Sequence, residues 1–414
     1  MKEKLTVYFK NKLAGFLLYE KGELFFHYDE SYLADNNNEA ISFRLPLVDK
    51  IFKDVDVRPF FDGILPEDAI RKQIAKLLKT DSRNTFALLK RIGGDCAGAV
   101  SVFEENKYPE TIQEEYRVVL DDEAYDILSS LKVRPLYIGE DDFRISGAGA
   151  QDKLIACIKN GQLVLPLNGT PSTHIIKPNI AGYEDTVFNE LFCMKLADAC
   201  GLKTAECFVK KIKDKSFYVV KRYDRKQMGD LWVRIHQEDF CQARGILSEN
   251  KYESDGGPSL SDCFNILNSY GFSGADKIAF LDLIIFNYLI GNCDAHGKNF
   301  SILYKGEIPE LAPAYDLMCT VILFPFYDKI KMAMKLGGSN YLISKINRNN
   351  FEKLADIFGY REDFILKRLD MLSSKILNKA NELAIQLNSN NETCSPVYEK
   401  IIKVIEKHVM KIKE

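Results

Sequence analysis

The sequence lacks a hydrophobic run long enough to cross a membrane. Its longest near-continuous apolar stretch, residues 279–291, is interrupted by Asp282 and Asn287 and is shorter than the ~20 residues that a transmembrane helix needs. The N-terminus also has no apolar stretch of the kind found in secretory signals, because the alternation typical of a strand begins at Leu5. We therefore expect a cytoplasmic protein without a membrane span.

Paired cysteines and an excess of basic charge are missing as well. Ten cysteines are scattered along the chain without a C-x-x-C pair, which argues against a zinc cluster and, in a reducing compartment, against a disulfide framework. Most of them are predicted to be small buried apolar residues. The net charge is −3, so the chain has none of the basic excess that non-specific nucleic-acid binding requires. Any role on DNA would need a partner.

What the chain does have is size and hydrophobic content. Its 414 residues are 46% hydrophobic and 28% charged, which is enough for two or three cores. Leu5, Val7 and Phe9 alternate with polar residues, and the alternation resumes at 24–28, which predicts an antiparallel meander. Residues 62–92 change to helical spacing. The beginning of the chain is therefore predicted to mix α and β structure.

A second region begins near Arg144, and its order of elements is informative. Asn160-Gly161 lies between two apolar runs and predicts a hairpin. A third strand then ends on Lys177, and a helix is predicted from about 185 to 201. Further strands lead to about residue 240, and the rest of the chain is predicted to be mostly helical.

This order is the layout of a bilobed protein kinase. We therefore predict an α+β protein with a bilobed, protein-kinase-like fold in three parts. An N-terminal α/β domain is expected at residues 1–135, a β-containing small lobe at 136–243 and a helical C-terminal lobe at 244–414.

A polar loop after the apolar helix predicted near 276–290 carries residues suited to phosphoryl transfer. In Asp294-Ala-His-Gly-Lys-Asn299 the aspartate and the asparagine have the spacing of the catalytic base and the metal-binding asparagine in the protein-kinase loop H-R-D-x-x-x-x-N. Asp294 would accept the proton of the substrate hydroxyl, and Asn299 would hold Mg²⁺. Asp316, after the next predicted strand, is the candidate second metal ligand. An isolated pair at this spacing usually belongs to a turn, so the inference depends on the whole set occurring in kinase order.

Two other positions are candidates for contacts with ATP. Lys177 ends an apolar strand, from which a long cation can reach phosphate oxygens, and either Glu190 or Glu184 could pair with it. Residues 238–240 lie where the lobes would join, so backbone groups there could bind the adenine edge. The simpler interpretations are an exposed lysine at a strand end and an ordinary interdomain turn.

A segment of small residues precedes the predicted hairpin. In Ser146-Gly-Ala-Gly-Ala-Gln-Asp-Lys153 the backbone N–H groups can approach phosphates closely, and the lysine supplies the countercharge. In typical protein kinases the glycine-rich loop lies between the first two strands, so their loop geometry cannot be transferred. A lone Gly-x-Gly most often just makes a turn.

Several motifs that follow one another along the chain together resemble those of one known protein family. They are Arg144-Ile-Ser146 followed by Ala-Gly-Ala-Gln-Asp-Lys153, Thr173-His-Ile-Ile-Lys177, Gln237-Glu-Asp-Phe-Cys-Gln242, Lys251-Tyr-Glu-Ser-Asp-Gly-Gly-Pro258, the Asp294 loop and Tyr315-Asp316. The chain resembles the HipA family of serine/threonine kinase toxins. Phe61-Asp-Gly-Ile-Leu-Pro-Glu67 and Ile92-Gly-Gly-Asp-Cys-Ala-Gly-Ala99 are similar to the family's N-terminal domain, so the resemblance covers nearly the whole chain.

The resemblance implies a bacterial toxin of a type II toxin–antitoxin pair that uses ATP and Mg²⁺. Its partner would be a small helix-turn-helix antitoxin, similar to HipB, which alone would contact DNA. Known members phosphorylate aminoacyl-tRNA synthetases, which halts translation and produces dormancy. The serine that matches Ser146 is an autophosphorylation site in this family, and Gly147 stands where a bulkier residue often follows, which predicts a more mobile loop. By the family's pattern the ATP site is lined by Ala148, Gly149, Ala150, Gln151, Asp152, Lys153, Lys177, Glu238, Asp239, Phe240, His296, Gly297, Lys298, Asn299, Tyr315 and Asp316.

Two other functions compete with a protein kinase. A small-molecule kinase shares the spacing of Asp294 and Asn299, but it leaves the N-terminal domain and Ser146 unexplained. A non-catalytic co-repressor bound to a DNA-binding antitoxin is the other alternative, and the intact Lys177 and Asp316 argue against it.

Overall fold

Alternating apolar residues at the beginning of the chain form the first sheet. The computed structural model describes residues 3–105, 107, 114–139, 144–306, 308–338 and 340–413. The strands of this sheet are β1 (Glu3–Phe9), β2 (Lys12–Glu20), β3 (Glu23–Tyr28) and β4 (Val100–Glu104). They pair antiparallel in the order β3-β2-β1-β4. Leu5, Val7 and Phe9 are buried on one face because side chains alternate along a strand, which confirms the predicted meander.

Four helices between β3 and β4 supply apolar side chains to this sheet. They are α1 (Glu30–Ala34), α2 (Asp54–Gly63), α3 (Asp68–Leu77) and α4 (Thr85–Ile92). Helix α2 packs on β3 and α4 packs on β4, and Phe60, Phe61 and Leu89 are buried there. The helical spacing predicted for residues 62–92 corresponds to the end of α2 and to α3 and α4.

The strands of the next region carry the predicted hairpin. They are β5 (Glu115–Val118), β6 (Leu154–Lys159), β7 (Gln162–Leu167) and β8 (His174–Lys177), with α5 (Asp121–Ser130) between the first two. Strand β7 pairs antiparallel with β5 and with β6, and β6 pairs antiparallel with β8. Asn160 and Gly161 have φ angles of +51° and +77°, as a type I′ turn requires.

One helix and two hairpins follow β8. The elements are α6 (Thr186–Ala199), β9 (Cys207–Ile212), β10 (Lys215–Lys221), β11 (Arg225–Met228), β12 (Leu231–Arg234), β13 (His236–Asp239) and α7 (Phe240–Arg244). Gly201, at φ +91°, lies just beyond α6, where glycine relieves the strain of a left-handed backbone. The helix and strands predicted between 185 and 240 are thus confirmed.

The rest of the chain is mainly helical. Its elements are α8 (Leu260–Ser269), α9 (Gly274–Leu289), β14 (Ser301–Tyr304), β15 (Glu310–Leu311), α10 (Arg348–Glu352), α11 (Leu354–Phe358), α12 (Glu362–Asn388) and α13 (Val397–Lys413). The predicted helical C-terminal part is interrupted between α9 and α10 by loops, two short strands and 3₁₀ turns. Proline at 309, 313 and 325 and glycine at 306, 337 and 338 explain why that stretch does not continue as helix.

Two compact units make up the described chain. The first unit contains residues 1–178, 221–249 and 303–305, and the second contains 179–220, 250–302 and 306–414. The division into three domains at 135/136 and 243/244 stays a prediction. Nine cysteines are buried and Cys394 is exposed, as predicted for small apolar residues. Within the described ranges, none of the helices is both long and apolar enough to span a bilayer.

Candidate active site

The loop after α9 is fixed by a chain of amide hydrogen bonds in the second unit. Asn292 Nδ2 donates to Asn287 Oδ1 at 2.8 Å, and Asn292 Oδ1 accepts from the backbone N–H of Asp294 at 3.1 Å. Asn299 Nδ2 donates to the carbonyl of Asp294 at 2.9 Å. Because Asn287 lies on the buried face of α9, these bonds hold the loop on a rigid element.

Asp294 is half-buried, and one of its carboxylate oxygens is already oriented. The hydroxyl of Tyr252 donates to Asp294 Oδ1 at 2.6 Å, although 42 residues separate the two. The Tyr252 ring packs edge-on against His296 with 5.2 Å between ring centroids. The hydrogen bond from Tyr252 engages Oδ1 of the carboxylate. The sequence motif contains Tyr252, but no spacing rule connects a hydroxyl so distant in the chain to this loop.

Asn299 and Asp316 are the predicted magnesium ligands. The amide nitrogen of Asn299 is used by the Asp294 carbonyl, so the bond orients the amide oxygen, which is the atom that can bind Mg²⁺. Asp316 has a φ of +58°, a left-handed backbone that costs energy in a residue other than glycine and often marks a functional position. Groups of three or more His, Cys, Asp or Glu side chains able to hold a metal are absent from the described residues. An Asn–Asp pair fits Mg²⁺ only if phosphate oxygens and water complete the shell, as is usual for this ion.

Tyr315 connects the Asp316 segment to the loop. Its hydroxyl donates to the carbonyl of Lys298 at 2.7 Å, and Ser301 Oγ lies 2.7 Å from the same hydroxyl. Lys298 and His296 are buried, and residues Gly297–Asn299 form a 3₁₀ turn. The structure therefore brings the predicted loop residues and Tyr315 into one hydrogen-bonded arrangement.

The small-residue segment lies in the first unit and contacts the turn after α2. Gly149 has a φ of +100°, and its N–H donates to Glu67 Oε1 at 2.9 Å. Lys153 Nζ donates to the carbonyl of Ala148, which brings the lysine back over the segment. A backbone N–H that binds a carboxylate oxygen can also bind a phosphate oxygen. Binding of phosphate by the segment stays a prediction, and the contact that the sequence did not predict is the one with Glu67.

Ser146, at the start of this segment, is buried. Its hydroxyl donates to the carbonyl of Ile64 at 2.7 Å, and 1% of the residue is exposed. A Cβ added at Gly147 would lie 2.2 Å from Ile155 Cδ1, so glycine allows close packing on β6. The mobility predicted from Gly147 stays a prediction.

The end of the segment contains an acidic side chain. Gln151 Nε2 donates to the carbonyl of Pro178 at 3.2 Å. Asp152 Oδ1 is buried without a hydrogen-bond partner among the described residues, and burial raises the pKa of its carboxyl, against the effect of Lys153. Since buried polar atoms are nearly always paired, Asp152 Oδ1 is a candidate contact for a ligand or a bound water.

Lys177 ends β8 as predicted, but it is not an exposed lysine. It is 7% exposed, so the simpler interpretation of a solvated strand end is wrong. Of its two candidate partners, Glu190 is buried on α6 and Glu184 is exposed. The pairing of Lys177 with either glutamate stays a prediction.

The side chains of the three residues predicted at the adenine edge make contacts within the first unit. Glu238 accepts from Ser42 Oγ at 2.8 Å and from the Tyr304 hydroxyl, and its burial raises the pKa of its carboxyl to about 7. Asp239 caps α7, and its N–H donates to Gln242 Oε1 at 2.8 Å. Phe240 belongs to the core. The N–H of Asp239 is therefore engaged, and any adenine contact would use other backbone groups of this stretch.

A small-residue segment, a strand that ends on a lysine and a loop that carries an aspartate follow one another along the chain. This order is typical of kinase-like proteins of mixed α and β structure. Comparison with models of known protein families identifies the family of this chain. The HipA N-terminal domain matches residues 5–103, and the HipA-like C-terminal domain matches residues 145–381. The chain belongs to the HipA family.

Individual relatives agree with this membership. The protein Y4mE of Sinorhizobium fredii, which is named as a kinase, is 39% identical over 375 residues, 89% of either chain. The serine/threonine-protein kinase toxin HipA of Shewanella oneidensis is 27% identical over 342 residues, 79% of this chain and 77% of that protein. A HipA structure from Shewanella oneidensis MR-1, solved with HipB and operator DNA, has a TM-score of 0.85 at 23% identity and covers 99% of this chain and 97% of that chain. The predicted fold is thereby confirmed as that of HipA.

Proposed function

We propose that this HipA-family protein is an ATP-dependent serine/threonine protein kinase and the toxin of a type II toxin–antitoxin pair. The observation that carries the proposal is the loop in which Asn299 binds the backbone of Asp294 while Tyr252 orients the Asp294 carboxylate. The relatives named as kinases, and the HipA toxin among them, support it at the level of the family.

In the proposed reaction Asp294 is the general base. Tyr252 holds Oδ1, so Oδ2 accepts the proton of a serine or threonine hydroxyl while the hydroxyl oxygen bonds to the γ-phosphorus and the bond to ADP breaks. Mg²⁺ held by Asn299 and Asp316 would neutralise charge on the phosphate oxygens. The other residues of the loop keep Asp294 oriented. The hydrogen bonds of Tyr315 and Asn292 limit the movement of the loop.

The other predicted residues bind the nucleotide in this proposal. Residues 148–153 and Lys177 would contact phosphates, residues 238–240 would contact adenine, and residues 296–298 and Tyr315 would also contact ATP. The binding of a carboxylate by the Gly149 N–H supports an anion-binding role for the segment.

Ser146 is the proposed autophosphorylation site. Its hydroxyl is buried against the carbonyl of Ile64, so the segment must leave that position before the hydroxyl can react. A phosphate adds ~1.5 to 2 negative charges, and burial of that charge at the position of the Ser146 hydroxyl would be costly. Modification is therefore expected to displace the segment and to lower ATP binding.

The proposed partners follow from the family. A helix-turn-helix antitoxin would bind this protein, as HipB accompanies HipA in the Shewanella oneidensis complex with operator DNA, and the net charge of −3 is consistent with DNA contact only through that antitoxin. The substrate would be a translation factor such as an aminoacyl-tRNA synthetase in the bacterial cytoplasm.

Incubation of the purified protein with γ-labelled ATP, Mg²⁺ and a bacterial lysate tests the proposal. Label in protein that depends on Asp294 is the expected result. Label only in small molecules would favour a small-molecule kinase, and no label at all would favour a non-catalytic co-repressor.

A further inference from the structure

A buried ionic cluster in the first unit has no part in the proposed chemistry. It consists of Asp95, Asp224, Arg222, Arg225 and Arg234, whose side chains are each at most 5% exposed. Three guanidinium groups face two carboxylates, which leaves one formal positive charge in excess. Buried charges of this kind are tolerated only when geometry and hydrogen bonding are nearly complete.

Asp95 is the centre of this cluster. Its Oδ1 accepts from Arg225 Nη2 and Arg234 Nη2, both at 2.8 Å, and its Oδ2 accepts from Arg222 Nη1 at 3.3 Å. Oδ2 also accepts from the N–H of Ser172 at 3.0 Å and from its hydroxyl at 2.5 Å. Burial alone would raise the pKa of the Asp95 carboxyl, but the three arginines outweigh burial and hold that pKa well below its usual range.

The backbone of Asp95 holds the small-residue segment. Its N–H donates to the carbonyl of Arg144 at 3.0 Å, and its carbonyl accepts from the N–H of Ser146 at 3.0 Å. The two stretches form a parallel bridge between Asp95 and Ile145. The backbone of one buried residue thus fixes the start of the segment that is proposed to bind phosphates.

The side chain of Asp95 holds a second element. Ser172 lies immediately before Thr173, whose N–H donates to the carbonyl of Ala156 on β6 at 3.0 Å, and β8 then runs to Lys177. Neither Asp95 nor its arginines are among the residues assigned to ATP. A single residue therefore connects the two phosphate-binding elements of the first unit.

We propose that Asp95 is a positioning residue for nucleotide binding, which sets the small-residue segment and Lys177 at a fixed separation. This inference rests on the proposed kinase function. Phosphate contacts from two elements act together only if both are held in place, and a displacement of ~1 Å can cost ~100-fold in a well-oriented site.

Asp95→Asn tests the inference because asparagine keeps the size and backbone bonds but removes the charge that holds three arginines. We expect the KM for ATP to rise about 10- to 100-fold, with kcat at saturating ATP close to that of the wild type. The matched control is Asp282→Asn in the second unit, which removes another buried aspartate paired with an arginine, Arg368. The control is expected to keep the wild-type KM for ATP.

A milder variant covers the case in which Asp95→Asn does not fold. Ser172→Ala removes the hydroxyl that donates to Asp95 and accepts from Arg222 Nη1 at 2.8 Å, and it leaves all charges in place. A smaller rise in the KM for ATP is expected from it.

The outcomes separate this inference from the proposed function. A fall in kcat with an unchanged KM in Asp95→Asn would mean a merely structural role and overturn the inference, as would an unchanged KM in Ser172→Ala or an equal rise in Asp282→Asn. A wild-type protein that neither binds ATP nor transfers phosphate would instead overturn the proposed function, and the inference with it.

Discussion

At the scale of single residues, the loop after α9 is notable for how little freedom its functional groups have. Asp294 is held through its N–H by Asn292, through its carbonyl by Asn299 and through Oδ1 by Tyr252. If Asp294 is the base, as proposed, these three hydrogen bonds mean that it needs little reorganisation when a substrate hydroxyl arrives. The charge of Asp294, metal binding by Asp316 and the orientation of Asp294 by Tyr252 can each be tested by a separate substitution.

Asp294→Asn is expected to abolish transfer and leave ATP binding largely intact, because asparagine keeps the shape but cannot accept a proton. Loss of a general base costs ~10²- to 10⁴-fold in rate. Asp316→Ala is expected to weaken Mg-ATP binding as well, since a metal ligand is lost. Calorimetric titration with Mg-ATP and phosphate incorporation would measure the two effects. Transfer at the wild-type rate by either variant would show that the catalytic assignment is wrong.

Tyr252→Phe is the matched test of orientation. It removes one hydroxyl and keeps the ring against His296, so kcat should fall by less than in Asp294→Asn while ATP affinity stays the same. An unchanged kcat would show that this hydrogen bond is not needed for the orientation of Asp294.

Ser146 should act as both phosphate acceptor and switch. After incubation with Mg-ATP, intact mass and peptide mapping are expected to find phosphate on Ser146, and the phosphorylated form should bind ATP more weakly because its new charge repels the nucleotide phosphates. Ser146→Ala is the control, with no phosphate at this position and the affinity of the unmodified protein. Equal ATP affinity in the two forms would contradict the switch even if Ser146 carries phosphate.

At the scale of elements, a buried histidine of α13 packs against other parts of the second unit. The His408 ring stacks on Tyr288 of α9 with 4.8 Å between centroids, and His408 Nε2 lies 2.6 Å from the Tyr327 hydroxyl. Burial lowers the pKa of His408 to about 4, so the ring is neutral at neutral pH. The attachment of α13 should therefore weaken in acid.

The direction of this pH effect follows from linkage. The folded pKa of His408 is below the ordinary value of 6.5, so the unfolded chain binds more protons and stability is lost as pH falls from 6.5 towards 4. The loss expected from His408 alone between about pH 7 and about pH 5 is about 2 kcal/mol. Glu238 acts in the opposite direction, because burial raises its pKa to about 7 from an ordinary 4.5, and its contribution is lost as pH rises through 7.

A comparison of variants isolates the histidine. Urea unfolding of His408→Gln is expected to show a smaller loss of stability between these two pH values than the wild type, by about 2 kcal/mol. If His408→Gln has the same pH dependence as the wild type, the histidine does not carry the effect.

At the scale of the whole molecule, the residues assigned to ATP are distributed over both compact units. The small-residue segment, Lys177 and residues 238–240 belong to the first unit, and the loop with Asp294 belongs to the second. The proposed activity therefore depends on residues of both units, and loss of an assigned residue from either unit should have the same consequence in the cell.

Expression of the wild-type protein in bacteria is expected to arrest growth, and Lys177→Ala and Asp294→Ala should each prevent the arrest. Lys159→Ala is a matched control, because Lys159 also ends a strand of the first unit but is exposed. Co-expression of a helix-turn-helix antitoxin should relieve the arrest. Growth curves, with phosphoproteomics beside the Asp294→Ala variant, would measure toxicity and identify the substrate.

Persistent arrest in the Asp294→Ala variant would mean that toxicity has another cause. An arrest that no helix-turn-helix partner relieves would contradict the proposed pairing and leave the kinase assignment to the biochemical tests.

The sequence by itself determined the elements and the order of the candidate residues. The meander, the hairpin at Asn160-Gly161 and the strand that ends on Lys177 are local, because alternation, a turn dipeptide and strand length are read within a few residues. The spacing of Asp294 and Asn299 is also local, and the motifs placed the chain in its family.

Only the tertiary structure decided what holds these residues. Tyr252 reaches Asp294 across 42 residues, and Arg234 reaches Asp95 across 139. The burial of Ser146 against Ile64, across 82 residues, likewise has no local signal. Side-chain periodicity and turn chemistry describe near neighbours in the chain, whereas hydrogen bonds and ion pairs depend on which elements pack together. Orientation of the base and support of the nucleotide segment are therefore properties of the folded chain.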